Sequence, residues 1–111
     1  MEIQSTPFKH CDLIQVTGRI DSSTAPKLDE AVNHIFKAGR YKIVFDFSGV
    51  DFLSSAGLRV LISAQKSCKR YNRGEVVLAA VPQNIQDALD LAGFTMLFKF
   101  FSDNITGVGN F

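Results

Sequence analysis

Cysteine is scarce in this 111-residue chain: Cys11 and Cys68 stand far apart, with no metal-ligand spacing and only His10 as a neighbour of the first. A disulfide framework and a cysteine-based metal site are therefore not expected, and two free, buried or half-buried thiols in a reducing compartment are. An excess of either charge is missing too, since 12 Lys and Arg face 11 Asp and Glu for a net charge of +1. That balance gives no electrostatic case for binding nucleic acid or an anionic membrane surface. No apolar run approaches the roughly 18 residues of a membrane span. Met1-Glu2-Ile3-Gln4 has neither the basic nor the apolar region of a secretory signal, so a soluble, cytoplasmic protein is expected. Histidines are only two, His10 in a turn and His34 in mid-helix. No Gly-x-Ser-x-Gly elbow, P-loop or dinucleotide glycine pattern occurs, and neither an enzyme nor a bound metal or cofactor is expected.

What is present is enough for one domain over residues 1–111, with a core of about 3–102 and a loose tail over 103–111. Ile3 to Phe8 and Leu13 to Thr17 read as two strands on a short connection, an antiparallel hairpin stopped at Gly18. Asp21-Ser22-Ser23-Thr24 clusters capping residues ahead of Pro26, and Leu28, Ala31, Val32, Ile35 and Phe36 give the next helix one apolar face. Tyr41 to Phe47 reads as a central strand, followed by a helix through Leu58, Leu61, Ile62 and Cys68 that ends at Asn72-Arg73-Gly74. Glu75 to Ala80 is a further strand, Pro82 opens a third helix stopped at Gly93, and Phe98 to Phe101 is a last short strand. The order β-β-α-β-α-β-α-β predicts an α/β domain with a mixed β-sheet, antiparallel at the N-terminal hairpin and parallel where helices cross over and pack on it. Right-handed crossovers bring successive helices to one face.

Asp51-Phe52-Leu53-Ser54-Ser55-Ala56-Gly57-Leu58 organises the chain: strand, sharp turn through small residues, helix. Ser54 or Ser55 is a natural N-cap, Ala56 and Gly57 leave room for another backbone, and the helix mouth favours negative charge. Helix capping by itself accounts for both serines, and spacing does not choose between a cap and a modified residue. Asp46 and Asp51 suggest loop hydrogen bonding more than a catalytic pair. Arg59, Lys66, Arg70 and Arg73 recur as a basic stripe, either a solvated face or a docking surface. Met96, Phe98, Phe100 and Phe101 read as core closure.

Leu53-Ser54-Ser55-Ala56-Gly57-Leu58, with Phe45 to Phe52 before it and Gly18-Arg19-Ile20-Asp21 earlier, resembles the signature of STAS-domain anti-sigma-factor antagonists. The resemblance implies a phosphorylation-switched binding module, in which Ser55 is the phosphorylated serine and Ser54 stands where Asp is common. It further implies that Asp21, Ser22, Ser23, Ser54, Ser55, Ala56, Gly57 and Arg59 form the partner-binding surface. The implied partners are an anti-sigma factor that is also the serine kinase, captured by the unphosphorylated form so that a sigma factor is released, and a serine phosphatase. An alternative is a non-phosphorylated accessory subunit of a lipid-transport or larger signalling complex.

Overall fold

The computed structural model describes residues 1–111. Its five strands are β1 (Glu2–Pro7), β2 (Asp12–Ile20), β3 (Lys42–Leu53), β4 (Glu75–Ala79) and β5 (Lys99–Phe101), ordered across one sheet as in the chain. β1 pairs antiparallel with β2, and the other three pairings are parallel. Helices α1 (Ala25–Lys37), α2 (Ser55–Lys69) and α3 (Gln83–Ala92) make the crossovers. Each crossover steps across the sheet in the same direction, so one hand of connection puts all three helices on one face. There Leu28, Val32 and Ile35 of α1, Leu61 and Ala64 of α2, and Ile85 and Leu89 of α3 pack with Ile14, Val16, Ile43, Phe45 and Leu78 of the strands. The alternating neighbours Leu13, Val44, Val77 and Ala79 point to the opposite face and form a second, smaller cluster. Cys11 and Cys68 are both free and buried, and burial pushes the Cys68 thiol up to about 12.

Three stretches depart from the sequence expectation. β2 runs through Gly18 to Ile20: Gly18 takes φ +94 at a register shift whose extra residue, Asp51, lies on β3, and pairing resumes at Arg19 and Phe52. β3 continues past Phe47 to Leu53, because Ser48-Gly49, which read as punctuation, lies inside pairing with β2: Gly49 sits opposite Thr17 and Val50 opposite Gly18. The expected loose tail is a helix, α4 (Asn104–Gly109), followed by a half-buried Phe111. Gly107 is buried against Val44, where a Cβ would stand 2.8 Å from a Val44 methyl, so the glycine that suggested looseness is what lets the helix lie down on the sheet. Asp103 caps α4 by accepting from the Thr106 N–H at 2.8 Å.

Asp46 fastens α4 from the sheet side. It is 5% exposed and accepts from the Ser48 N–H at 2.9 Å and the Asn104 side-chain amide at 2.8 Å. Burial pushes its pKa up, but the hydrogen bonds from Ser48 and Asn104 outweigh that and hold the carboxyl below its ordinary 3.8. A carboxyl depressed in the folded state contributes stability that is complete above the unfolded value and is lost as pH falls through the lower folded one. Urea midpoints measured from about pH 5 to about pH 2 should fall less steeply for Asp46→Asn than for the parent. Equal slopes would remove Asp46 from the acid limb.

A buried glutamine supplies another fastening. β5 pairs with β4 only from Val77 onward, leaving the outward N–H and C=O of Val76 without a strand partner. Gln65 of α2, 5% exposed, takes that place: its Oε1 accepts from the Val76 N–H at 2.7 Å and its Nε2 donates to the Val76 carbonyl at 3.0 Å. The same Nε2 donates to the Leu97 carbonyl at 2.7 Å, which ties the short helical turn Thr95–Leu97 to α2 and β4. Met96 in that turn does not close the core, being 95% exposed, whereas Phe98 is buried and Phe100 and Phe101 are half-buried.

An ion pair sits at the hairpin. Asp12 is buried and paired with Arg40 at 2.6 Å, and the same guanidinium donates to the Phe8 and Cys11 carbonyls.

Candidate functional site

The turn between β3 and α2 divides its two serines between two tasks. Ser54 is the N-cap, with extended backbone and an Oγ that accepts from the Gly57 N–H at 3.3 Å. Its own N–H donates to the Ile20 carbonyl at 2.8 Å, so the end of β2 holds the turn in place. Ser and Asp serve equally well as N-caps, so Ser54 does there what an aspartate does. Ser55 is left exposed as the first residue of α2, and the amides of Ser55 and Ala56 in that first turn have no intrahelical acceptor. The positive end of the helix therefore opens on an uncommitted hydroxyl.

Gly57 is buried because α2 rests directly on the strand ends: a Cβ there would stand 2.4 Å from the Ile20 Cγ2 and 2.8 Å from the Leu53 Cδ1. Beside it runs a shallow groove of about 380 Å³ between α1 and α2, whose lining includes Ser22, Pro26, Ala56, Arg59 and Val60. Three of the expected surface residues, Ser22, Ala56 and Arg59, thus line one groove beside the turn of Ser54 and Ser55, whereas Gly57 is buried beneath it and offers no surface of its own. Arg59 is exposed and belongs to none of the ion pairs.

Asp21 and Ser23 are turned to a different task. The Asp21 Oδ1 accepts from the Ser23 Oγ at 2.6 Å and from the N–H groups of Ser23 and Thr24 at 3.0 and 3.2 Å, which makes a closed turn at the entry to α1. The Ser23 hydroxyl and amide, reinforced by Thr24, hold the half-buried Asp21 carboxyl below its ordinary value. Its other oxygen lies 3.8 Å from the Arg19 Nε.

Asp46 and Asp51 do not act jointly: Asp46 binds α4, while Asp51 offers only its backbone carbonyl, which accepts from the Asn84 side chain of α3 at 3.2 Å. The basic stripe also divides. Arg73 folds back over Tyr41 at 3.9 Å and donates to the Ser67 and Arg70 carbonyls, closing the end of α2, while Arg59 and Lys66 stay exposed. Sequence reasoning missed Arg19 and Phe52, paired across β2 and β3, whose guanidinium lies 4.2 Å from the ring centroid. Both alternate with Ile20 and Leu53 and so face away from α2. No alternation signal points to Phe52, because the register jumps from Val50 to Phe52 and this bulge at Asp51 turns Phe52 away from the face on which Val50 and Leu53 pack. Asn84 carries no signal either, being one polar residue among several on an exposed helix face.

The chain matches the family model described as STAS domain over residues 4–104. It is 31% identical over 100 residues to the anti-sigma-F factor antagonist RsfB of Mycobacterium tuberculosis, covering 86% of this chain and 80% of that protein. It is 28% identical over 110 residues to the anti-sigma-B factor antagonist of Listeria monocytogenes, covering 99% and 93%. Among solved structures it resembles the Bacillus cell fate determinant SpoIIAA in its phosphorylated form, with a TM-score of 0.73, 11% identity and coverage of 95% and 96%. At that identity the likeness is one of fold.

Proposed function

The chain belongs to the STAS domain family, and from that membership and the separation of Ser54 from Ser55 we propose that it is an anti-sigma-factor antagonist switched by phosphorylation of Ser55. In its unphosphorylated form it captures an anti-sigma factor that also acts as its serine kinase, so that a sigma factor is released, and a serine phosphatase reverses the mark. The chain is the substrate and not the catalyst. The names of its relatives support the partner class, and the SpoIIAA structure supports a fold that tolerates the modification.

The observation that carries the reading is that Ser55 is exposed and uncommitted at the helix mouth while Ser54 is consumed by capping. A phosphate adds about −1.5 to −2 charge, which the first-turn amides accommodate in the free domain. Within a packed interface over Ala56 and the α1–α2 groove, the same group must be desolvated, at a cost of several kcal/mol that the nearby Arg59 offsets only in part. The fold survives and the complex does not.

The test is to recover the partner by pull-down, incubate it with the protein and ATP, and map the phosphate by mass spectrometry. Ser55→Ala should abolish incorporation and keep binding, Ser55→Asp should weaken binding, and Ser54→Ala should leave incorporation largely intact at a cost in stability of about 1 kcal/mol for the lost cap. Phosphate on Ser54 would overturn the assignment, and none on either serine would favour a structural subunit.

A further inference from the structure

At the other end of α2, about 16 Å along the helix from Ser55 at 1.5 Å per residue, lies a second groove that the switch does not use. It has a volume of about 280 Å³ and is lined by Ile62, Gln65, Lys66, Lys69, Met96 and Leu97. Its floor is fixed, because the Gln65 amide is fully engaged with Val76 and Leu97 and leaves no polar atom of its own to offer. Its rim is apolar and open: Met96 is 95% exposed and Leu97 is 43% exposed. A methionine held out in water on a pinned turn contributes nothing to the core, yet its flexible thioether suits it to pack against varied partner side chains.

Charge selects among possible occupants. Lys69 shares Glu75 with Lys99, at 3.7 and 3.3 Å, while Lys66 enters none of the ion pairs and stands exposed beside the apolar walls. No carboxylate lines the groove. The unpaired Lys66 ammonium at the edge of an apolar slot complements a segment that carries a large apolar side chain flanked by Asp or Glu.

We propose that this groove docks an acidic, leucine-bearing segment of a partner protein, with the apolar side chain against Met96 and Leu97 and a carboxylate on Lys66. The volume suits one or two side chains, so the contact is a weak second foothold that gains its effect by tethering. Because it lies apart from the turn, it engages whichever way Ser55 is set.

The experiment uses the full chain, isotope-labelled for NMR, and a short fluorescein-labelled amphipathic peptide of Leu and Glu as probe. Saturable binding by anisotropy is expected, with amide shifts at Ile62, Lys66, Met96 and Leu97. Met96→Glu, at a position too exposed to disturb folding, should weaken binding at least tenfold. Lys66→Glu should weaken it about fivefold and flatten its salt dependence, and Ser55→Asp should leave it unchanged. The proposal is overturned if no saturable binding occurs, if a Leu and Lys peptide binds equally well, or if the shifts gather at the Ser55 turn. It is also overturned if decanoate alone fills the groove at the peptide's own concentration, which would make the occupant a free acid.

Discussion

Gln65→Ala is expected to lower the stability of the domain by about 3 kcal/mol, since it strands a buried N–H and two carbonyls that the strand ladder does not reach. For a domain of this size that is a fall in Tm of more than about 10 °C. Gln65→Glu should be no better. A carboxylate can still accept from Val76, but it cannot donate to the Val76 and Leu97 carbonyls, and it brings a buried charge up against both. Ser63→Ala, on the exposed side of the same helix, serves as the control and should stay within about 0.5 kcal/mol. Chemical denaturation measures all three, and a loss below about 1 kcal/mol for Gln65→Ala would mean that water replaces the amide at little cost.

Gly57→Val should cost about 2–3 kcal/mol and abolish partner capture, since the first atom added already overlaps Ile20 and Leu53 and a branched side chain cannot turn away. Gly57→Ala separates two effects of opposite sign. Helix propensity favours alanine by about 1 kcal/mol, while the 2.4 Å approach to Ile20 opposes it. We expect the clash to prevail by about 1 kcal/mol, within the range for overpacking. Ile20→Ala removes the opposing methyl, so the Ile20→Ala, Gly57→Ala pair should lose less than the sum of the single changes. If Gly57→Ala alone raises stability, the close packing of α2 on the strand ends is not what the glycine is for.

The order of elements was legible because each crossover helix carries its own apolar face and each central strand its apolar run. Leu28, Val32 and Ile35 or Ile43, Val44 and Phe45 declare themselves without help from the rest of the chain. Residues 48–53 were not legible as strand, since Ser48 and Gly49 signal a turn locally and only pairing with Thr17 and Gly18 overrules them. Nor was α4, whose six residues with two glycines have no periodicity and are ordered by contact with Val44 and Ala79. At the site, the motif located both serines, but it took the Ser54 cap bond to say which of them is free. Asp21, placed at the surface by resemblance, turns out to be engaged within its own loop.

β3 is longer than the neighbour on its outer side. Only Lys42 to Asp46 pairs with β4, and from Gly49 to Leu53 the strand is held by β2 alone, with the Asn84 bond to Asp51 on its free edge. The turn bearing Ser55 is thus carried on a two-stranded extension of the sheet, whose Ile20 and Val50 pack into the main core while its backbone is paired on one side only. Amide protons of residues 49–53 should exchange with solvent well before those of residues 43–46, although both lie on one strand. Loosening at the tip then stops at Asp46, where the sheet widens.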